Sequence, residues 1–555
     1  MQSATGTAMQ SLHDPRFYYL ANFKQALTWL QQRYADLLDE PESRFIEQFL
    51  RIDTQSQALL VRMIMRKGRH FRLDKLSYDE ISCSRSAAQP LLDAGWIEHD
   101  ATLNLEDLFK LLRKDEIVVH LGKQFLLKAS MNKAQMFERL ADEQPEPRAF
   151  ASWCPTSDQQ ILSLTIDPLC QRLRLMFFGN LRQDWSEFVL AELGIFRYER
   201  VELSADSRAF RSRADVDCYL QLHECRELFE AGEAIEPILQ RIRTLACDTT
   251  FLASRRNKLL FGMGQHLERE AQFESALAFY ADCRYVGARV RQVRVLERLG
   301  RQQQAYELAN QALQAPENDA EAQAVARALT RLSRQLGQPV PAKTKSIGQA
   351  RIDLVLPKPE HESVEFAVAQ HLDQPDAPVH YVENSLVCSL FGLLCWQAIF
   401  APVPGAFFHP FQTGPVDLLS SDFYPQREAL FSRSLEQLKS EAYKDLIRQN
   451  YADKFAIQSP FVFWGALDQT LLEQALECLP AEHLLAWFKR LLVDIKANRA
   501  GMPDLIQFWP TQKRYRMIEV KGPGDRLQDN QRRWLAFCAE HQMPVDVCYV
   551  QWADA

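Results

Sequence analysis

Apolar positions recur three and four apart through FKQALTWLQQRYADLL (23–38) and ESRFIEQFLRI (42–52), the spacing of helices that bury one face. The period continues through ALLVRMIM (58–65), stops at a basic turn containing Gly68, and returns before Gly95-Trp96-Ile97. LEDLFKLLRKDEIVVHLG (105–122) and KASMNKAQMFERL (128–140) predict two further short helices, and the polar, proline-bearing stretch from Glu143 to Pro155 reads as a linker. Residues 160–245 read as helices with a break at Phe177-Phe178-Gly179-Asn180. From about 359 the pattern changes. Short alternating or continuous apolar runs, LIQFW (505–509), YRMIEV (515–520) and VDVCYVQW (545–552), predict strands, and DRLQDNQRRWLAFCAEH (525–541) predicts a helix between the last two, with Asp525 as its cap.

Small residues add a second rhythm. Leu260, Gly264, Leu267, Ala276 and Tyr280 take the small and large positions of a tetratricopeptide-like helix pair, and Ala305, Ala309 and Ala312 repeat the small ones. The step from Ala276 to Ala305 is shorter than the usual ~34 residues, so the array is degenerate. The basic turn after residue 65 and the Gly95-Trp96-Ile97 step suggest a small winged-helix-like unit, and residues 105–140 resemble the SAP module. The expected divisions are 1–65 (helical), 66–142 (winged-helix/SAP-like), 143–358 (helical repeats) and 359–555 (mixed α/β). The fold class is therefore multidomain, mainly α, with a carboxy-terminal mixed sheet flanked by helices.

Composition narrows the field. With 555 residues, 47% apolar and 25% charged, the chain is long enough for several cores and too hydrophobic for extended disorder. A net charge of −7 excludes a uniformly basic nucleic-acid coat but leaves room for local basic patches. Arg66, Lys67, Arg69 and Arg72 form one, where phosphate contact competes with a solvated turn; the arginines between 284 and 301 read as a solvated helix face. Twelve cysteines show no C-x-x-C and read as core thiols of a reducing compartment. The first residues look unlike a signal peptide, and the longest apolar run, Leu386–Ala401, is shorter than the ~20 residues that span a bilayer. A cytoplasmic protein without a membrane partner is expected.

The chemistry sits between Gly501 and Gln551. Glu519 and Lys521, two apart on one strand, leave the same face, and a hairpin brings Asp504 beside them. Two converging carboxylates repel unless a cation lies between them, and Mg²⁺ or Mn²⁺ favours such hard oxygen ligands. A cation there polarises a phosphate and lowers the pKa of a water, while Lys521 faces the developing negative charge. An ordinary surface ion pair would also explain Glu519 and Lys521. The longer string G-x-P-D-L, then E-V-K-G-P-x-D-x-L-x-x-x-Q-x-x-W, resembles the VRR-NUC branch of the PD-(D/E)xK nucleases. The chain as a whole is similar to the Fanconi-associated nucleases, through LLVRMIMRKGRHFRLDKLSYDEI, LLDAGWI, SLFGLLCWQAIF and FQTGPVDLLSSDFY.

That resemblance implies a third metal-binding carboxylate at Glu383 in YVENSLVCSLFGLLCW, a metal-binding carbonyl at Val520, and an active-site Gln412. Glu365 in SVEFAVAQHL competes with Glu383, which is preferred for its place ahead of a buried helix. Lys496 and Arg499 are candidates for a substrate 5′-phosphate, and Gln531 for a DNA contact or a helix cap. The resemblance implies cleavage of 5′-flap or branched DNA, 5′-to-3′ progress, and repair that includes interstrand cross-links. The alternatives are a Holliday-junction resolvase and a non-catalytic repair scaffold. The ubiquitin-binding zinc finger of vertebrate relatives is not expected, since no cysteine precedes Cys83, and protein partners are left open.

Overall fold

The computed structural model describes residues 15–143, 146–185, 196–340, 350–359 and 361–553. Contacts gather these into two compact units, one from residues 1–196 with 210–216, the other from 197–209 with 217–555.

In the first unit, the helices Glu40–Arg51 and Thr54–Ile64 are started by Asp39, whose carboxylate caps the backbone of Glu42, and by Asp53, which accepts from Gln55 and Ser56. Strands β1 (His70–Arg72) and β2 (Ile97–His99) follow on either side of the helix Ser84–Asp93. Next come β3 (Thr102–Leu103), the SAP-like helices Leu105–Leu111, Lys114–Leu121 and Lys133–Ala141, β4 (Arg148–Ala149), which pairs with β3, and β5 (Ile161–Leu164). Leu108, Ile117, Leu121, Met136, Leu140 and Trp153 make one core there. β5, buried along its whole length, lies between β1 and β2 and pairs antiparallel with both. The basic turn and the Gly95 turn thus belong to a three-stranded wing whose central strand comes from beyond the polar stretch at 143–155. That stretch carries β4 and the short helix Phe150–Trp153, and 161–164 is strand where the sequence suggests helix.

The second unit opens with helical text. Thr250–Arg269, Phe273–Ala281, Ala288–Arg298, Gln302–Gln314 and Asp319–Leu336 follow one another, with Ala305, Ala309 and Ala312 fully buried between neighbours. Gly264 is required where it stands, because a Cβ would lie 2.8 Å from the Tyr280 ring. Several arginines of this region are in ion pairs: Arg289 with Glu321 (3.0 Å), Arg294 with Glu268 (3.0 Å) and Arg301 with Glu274 (2.6 Å).

The carboxy-terminal sheet has the order β6-β10-β9-β8-β7, from β6 (Ala350–Leu356), β7 (Val379–Tyr381), β8 (Leu505–Trp509), β9 (Arg514–Lys521) and β10 (Val545–Trp552). β7, β8 and β9 are antiparallel neighbours, while β10 runs parallel to β9 and β6. β6 lies ahead of the change of pattern near 359, in the division expected to be helical, so the sheet begins before residue 359. Its exposed Arg351–Asp353 pair suits an edge strand. One face packs the helix Val364–Leu372 over Leu505, Ile518, Val520 and Cys548. The other lies over the larger core with the helix Leu386–Leu394, all of whose residues are buried, as an all-round apolar helix requires. The apolar run 386–401 holds two helices that divide at Cys395, Leu386–Leu394 and Trp396–Ile399, and Trp396 donates its indole N–H to Glu199 at 2.9 Å. Ion pairs tie the helical region to this domain, Arg490 to Asp319 (2.8 Å) and Arg327 to Asp529 (2.6 Å). Among the described residues no helix is long and apolar enough to cross a membrane, and the cysteines form no disulfide.

Candidate active site

Gly501, at φ 91° with the Asn530 side chain 2.7 Å from where a Cβ would sit, turns the chain into Pro503 and Asp504 just ahead of β8. β8 and β9 pair Leu505 with Ile518, so one step further along the ladder Asp504 faces Glu519. Asp504 accepts a 2.7 Å hydrogen bond from the Val520 N–H. Glu519 and Lys521 leave the same face of β9, as their spacing predicts. The Lys521 Nζ lies 2.7 Å from Glu519 Oε1, an ion-pair contact by distance that lacks hydrogen-bond alignment, so both Glu519 oxygens are buried without an aligned donor. Val520 points its side chain into the opposite core and offers this face only its main chain.

The electrostatics follow from burial. Glu519 is wholly inaccessible and Asp504 only 5% exposed. Burial pushes the Asp504 carboxyl from 3.8 up to about 6; the Val520 N–H and Lys521 pull it down, and Glu383 and Glu365 push it further up. Burial, then the charge of Asp504, raises Glu519 from 4.5 to about 7, against the pull of Lys521.

Glu383 stands in the turn after β7, close enough to act on both buried carboxyls. Tyr381 donates its hydroxyl to one Glu383 oxygen, and the Asn384 amide donates to the other at 3.1 Å. Glu365, in the first turn of the helix Val364–Leu372, also lies close enough to raise the Asp504 pKa. Among the described residues no three His, Cys, Asp or Glu side chains are gathered tightly enough to hold an ion. Each carboxylate also meets a protein group: Asp504 the Val520 N–H, Glu519 the Lys521 ammonium, Glu383 the Tyr381 hydroxyl and the Asn384 amide. The donor set nevertheless fits a hard divalent cation, because a wholly buried carboxylate with no aligned donor, beside a second buried one, is costly without a compensating charge.

The remaining candidates are placed as follows. Gln412 accepts from the backbone N–H groups of Phe408 and His409 (3.2 Å to the latter), so its side-chain oxygen holds its own loop. Arg499 donates to the Pro460 carbonyl (3.2 Å), and exposed Lys496 lies over the Tyr285 ring, 3.3 Å from its hydroxyl. Gln531 accepts from the Gln528 N–H (2.8 Å) and caps its helix; Asp525 accepts instead from Gly522 (3.1 Å). In the first unit Arg66, Lys67 and Arg69 are exposed. Arg72 is not: it is 7% exposed and donates to both oxygens of Glu116 at 2.8 and 2.9 Å, so its guanidinium is committed to an internal ion pair. Tyr381 and Asn384 escape sequence reasoning, whose only signal is their place beside Glu383.

Comparison with known proteins bears on the family and the fold. The VRR-NUC domain model matches residues 438–552, the FAN1 HTH domain model 17–98, and the Fanconi anemia-associated nuclease SAP domain model 102–153. A Fanconi-associated nuclease 1 homolog of Pseudomonas aeruginosa is 54% identical over 98% of this chain and 97% of its own length. The chain belongs to the Fanconi-associated nuclease family. It is a nuclease, a phosphodiesterase whose activity depends on metal. The Arabidopsis thaliana homolog of this family is 24% identical over 97% of the chain and 67% of its own length. A crystal structure of paFAN1 bound to 5′-flap DNA with a 2-nucleotide flap and a gap superposes with a TM-score of 0.90 at 54% identity, covering 97% of this chain and 99% of that one. A second, with a 1-nucleotide flap, gives 0.89 over 97% and 100%.

Proposed function

We propose that this Fanconi-associated nuclease cuts branched DNA near a 5′ flap, progresses 5′ to 3′, and serves DNA repair that includes interstrand cross-links. The observation that carries the reading is the buried trio of Asp504, Glu519 and Lys521 in a chain so like paFAN1 along its whole length. Glu383, Asp504, Glu519 and the Val520 carbonyl hold Mg²⁺ or Mn²⁺, with Glu365 next in line. A cation held there polarises the scissile phosphate and makes a water more acidic. The amino group of Lys521, fixed beside Glu519, orients the attacking water and offsets charge on the phosphoryl oxygens. Gln412 holds the loop that carries it, and Lys496 and Arg499 approach the substrate's 5′-phosphate. Arg66, Lys67 and Arg69 grip duplex through phosphates, which gives recognition of shape more than of sequence. The protein acts in the cytoplasm, at the nucleoid when bound to DNA. Residues 1–65 and 66–142 form the duplex-binding part, the helical repeats the connector, and the sheet domain the cutting part.

The test is cleavage of end-labelled 5′-flap, 3′-flap, splayed and four-way substrates with and without Mg²⁺. Preferred cutting of the 5′ flap, lost in Asp504→Ala, is expected. Paired symmetric cuts in the four-way junction would favour a resolvase, and equal behaviour of both proteins a scaffold.

A further inference from the structure

Glu383 is held by a device that its own position in the chain does not explain. Val382 to Ser385 form a turn closed by a 2.9 Å bond from the Ser385 N–H to the Val382 carbonyl. Asn384 is the third residue of that turn and has φ 55°, in the left-handed region. Such a position takes Gly most cheaply and Asn next. The backbone alone would therefore be served by glycine, so the extra groups of asparagine call for a separate account.

Both ends of its amide are engaged. Nδ2 donates to Glu383 Oε1 at 3.1 Å, and Oδ1 accepts from the Met502 N–H at 3.1 Å. Met502 is two residues before Asp504. The same two segments are joined once more by the Val382 N–H, which donates to the Asp504 carbonyl at 2.8 Å, before β7 and β8 pair at Tyr381 and Leu505. The sheet fixes where the Glu383 backbone stands relative to Asp504. It does not fix the carboxylate, which ends a chain of rotatable bonds on the one exposed residue of the turn. One amide reaching from the Asp504 segment to the Glu383 carboxylate supplies that restraint, and a preset ligand loses less freedom when a cation arrives.

We infer that Asn384 is a positioning residue, which clamps the Glu383 carboxylate to the segment carrying Asp504 and so presets it for a divalent cation. The inference rests on the reading of Glu383 and Asp504 as cation ligands. Tyr381, hydrogen-bonded to the other Glu383 oxygen, shares the restraint, so removal of the clamp weakens the site without abolishing it. Groups that orient a metal ligand are typically worth about 10–100-fold in metal affinity, and a shared restraint belongs at the lower end.

The test is Asn384→Gly, which keeps the left-handed turn and removes only the amide. Mn²⁺ binding to the full-length protein without DNA, followed by the resonance of free Mn²⁺, is compared for the wild type, Asn384→Gly and Asp504→Asn, with circular dichroism to confirm folding. Binding about tenfold weaker in Asn384→Gly, and lost in Asp504→Asn, is expected. Wild-type affinity in Asn384→Gly with binding lost in Asp504→Asn overturns the clamp and leaves the site standing. Wild-type affinity in Asp504→Asn overturns the site itself.

Discussion

The cost of two buried carboxylates makes the cation site visible in stability as well as in activity. In cation-free buffer the folded protein holds the Asp504 carboxyl at about 6 and Glu519 at about 7, against ordinary values of 3.8 and 4.5. Both are raised, so the stability linked to them is full below pH ~4 and is lost as pH rises through 6 and 7. At ~1.4 kcal/mol per pH unit, each carboxyl accounts for about 3 kcal/mol, and because the two interact the joint loss is not a simple sum. Glu519→Gln keeps the shape and removes one charge. At pH 8 in EDTA it should unfold later than the wild type by about 3 kcal/mol, some 6–12 °C in a domain of this size. Mg²⁺ should raise the wild type and leave the variant unmoved. The assay is thermal unfolding at pH 5 and pH 8, with EDTA or excess Mg²⁺. A variant no more stable than the wild type at pH 8, or one that gains equally from Mg²⁺, would refute the reasoning.

Lys521→Ala should lower the cleavage rate by about 10²–10³ while Mn²⁺ binding persists, because the lysine acts on phosphate and water and not as a ligand; single-turnover kinetics with a binding titration checks this. Arg72→Ala should destabilise the first unit by about 1–3 kcal/mol, since half-buried Glu116 would lose two charged hydrogen bonds and keep only Arg113. Its DNA binding should keep the wild-type salt dependence, whereas Arg69→Ala should lower the slope of log affinity against log salt by about 1. Gly392→Ala should cost about 1–3 kcal/mol on thermal unfolding, because the added Cβ would lie 2.8 Å from both Phe461 and Val462 side chains.

Much of the site could be read along the chain because its chemistry is local. The two-residue step from Glu519 to Lys521 fixes a shared face in any strand, and the short polar turn from Pro510 to Lys513 makes β8 and β9 a hairpin, so Asp504 has to arrive opposite Glu519. Arg72 could not be told from Arg69 in the same way. Both belong to one basic run, and only the approach of Glu116, 44 residues on, separates a buried cation from a solvated one. Gln531 lies between these cases: its sequence allows a cap or a DNA contact, and its side-chain oxygen accepts from the Gln528 N–H as a cap.

What the sequence determined by itself was whatever depends on period and short spacing: the hairpin of β8 and β9, the helix and strand after it, the buried apolar helix behind Glu383, and the paired charge on one face. Only the tertiary structure decided that β5, from a stretch that reads as helix, and β6, from ahead of the change of pattern near 359, complete two sheets, which arginines are internal, and that Asn384 ties Glu383 to the Asp504 segment. Each of those depends on partners far along the chain, about 90 residues from β1 to β5 and nearly 120 from Asn384 to Met502. A pairing over such a distance leaves no period in the residues between, since what selects it is the burial and hydrogen-bond satisfaction of the assembled domain.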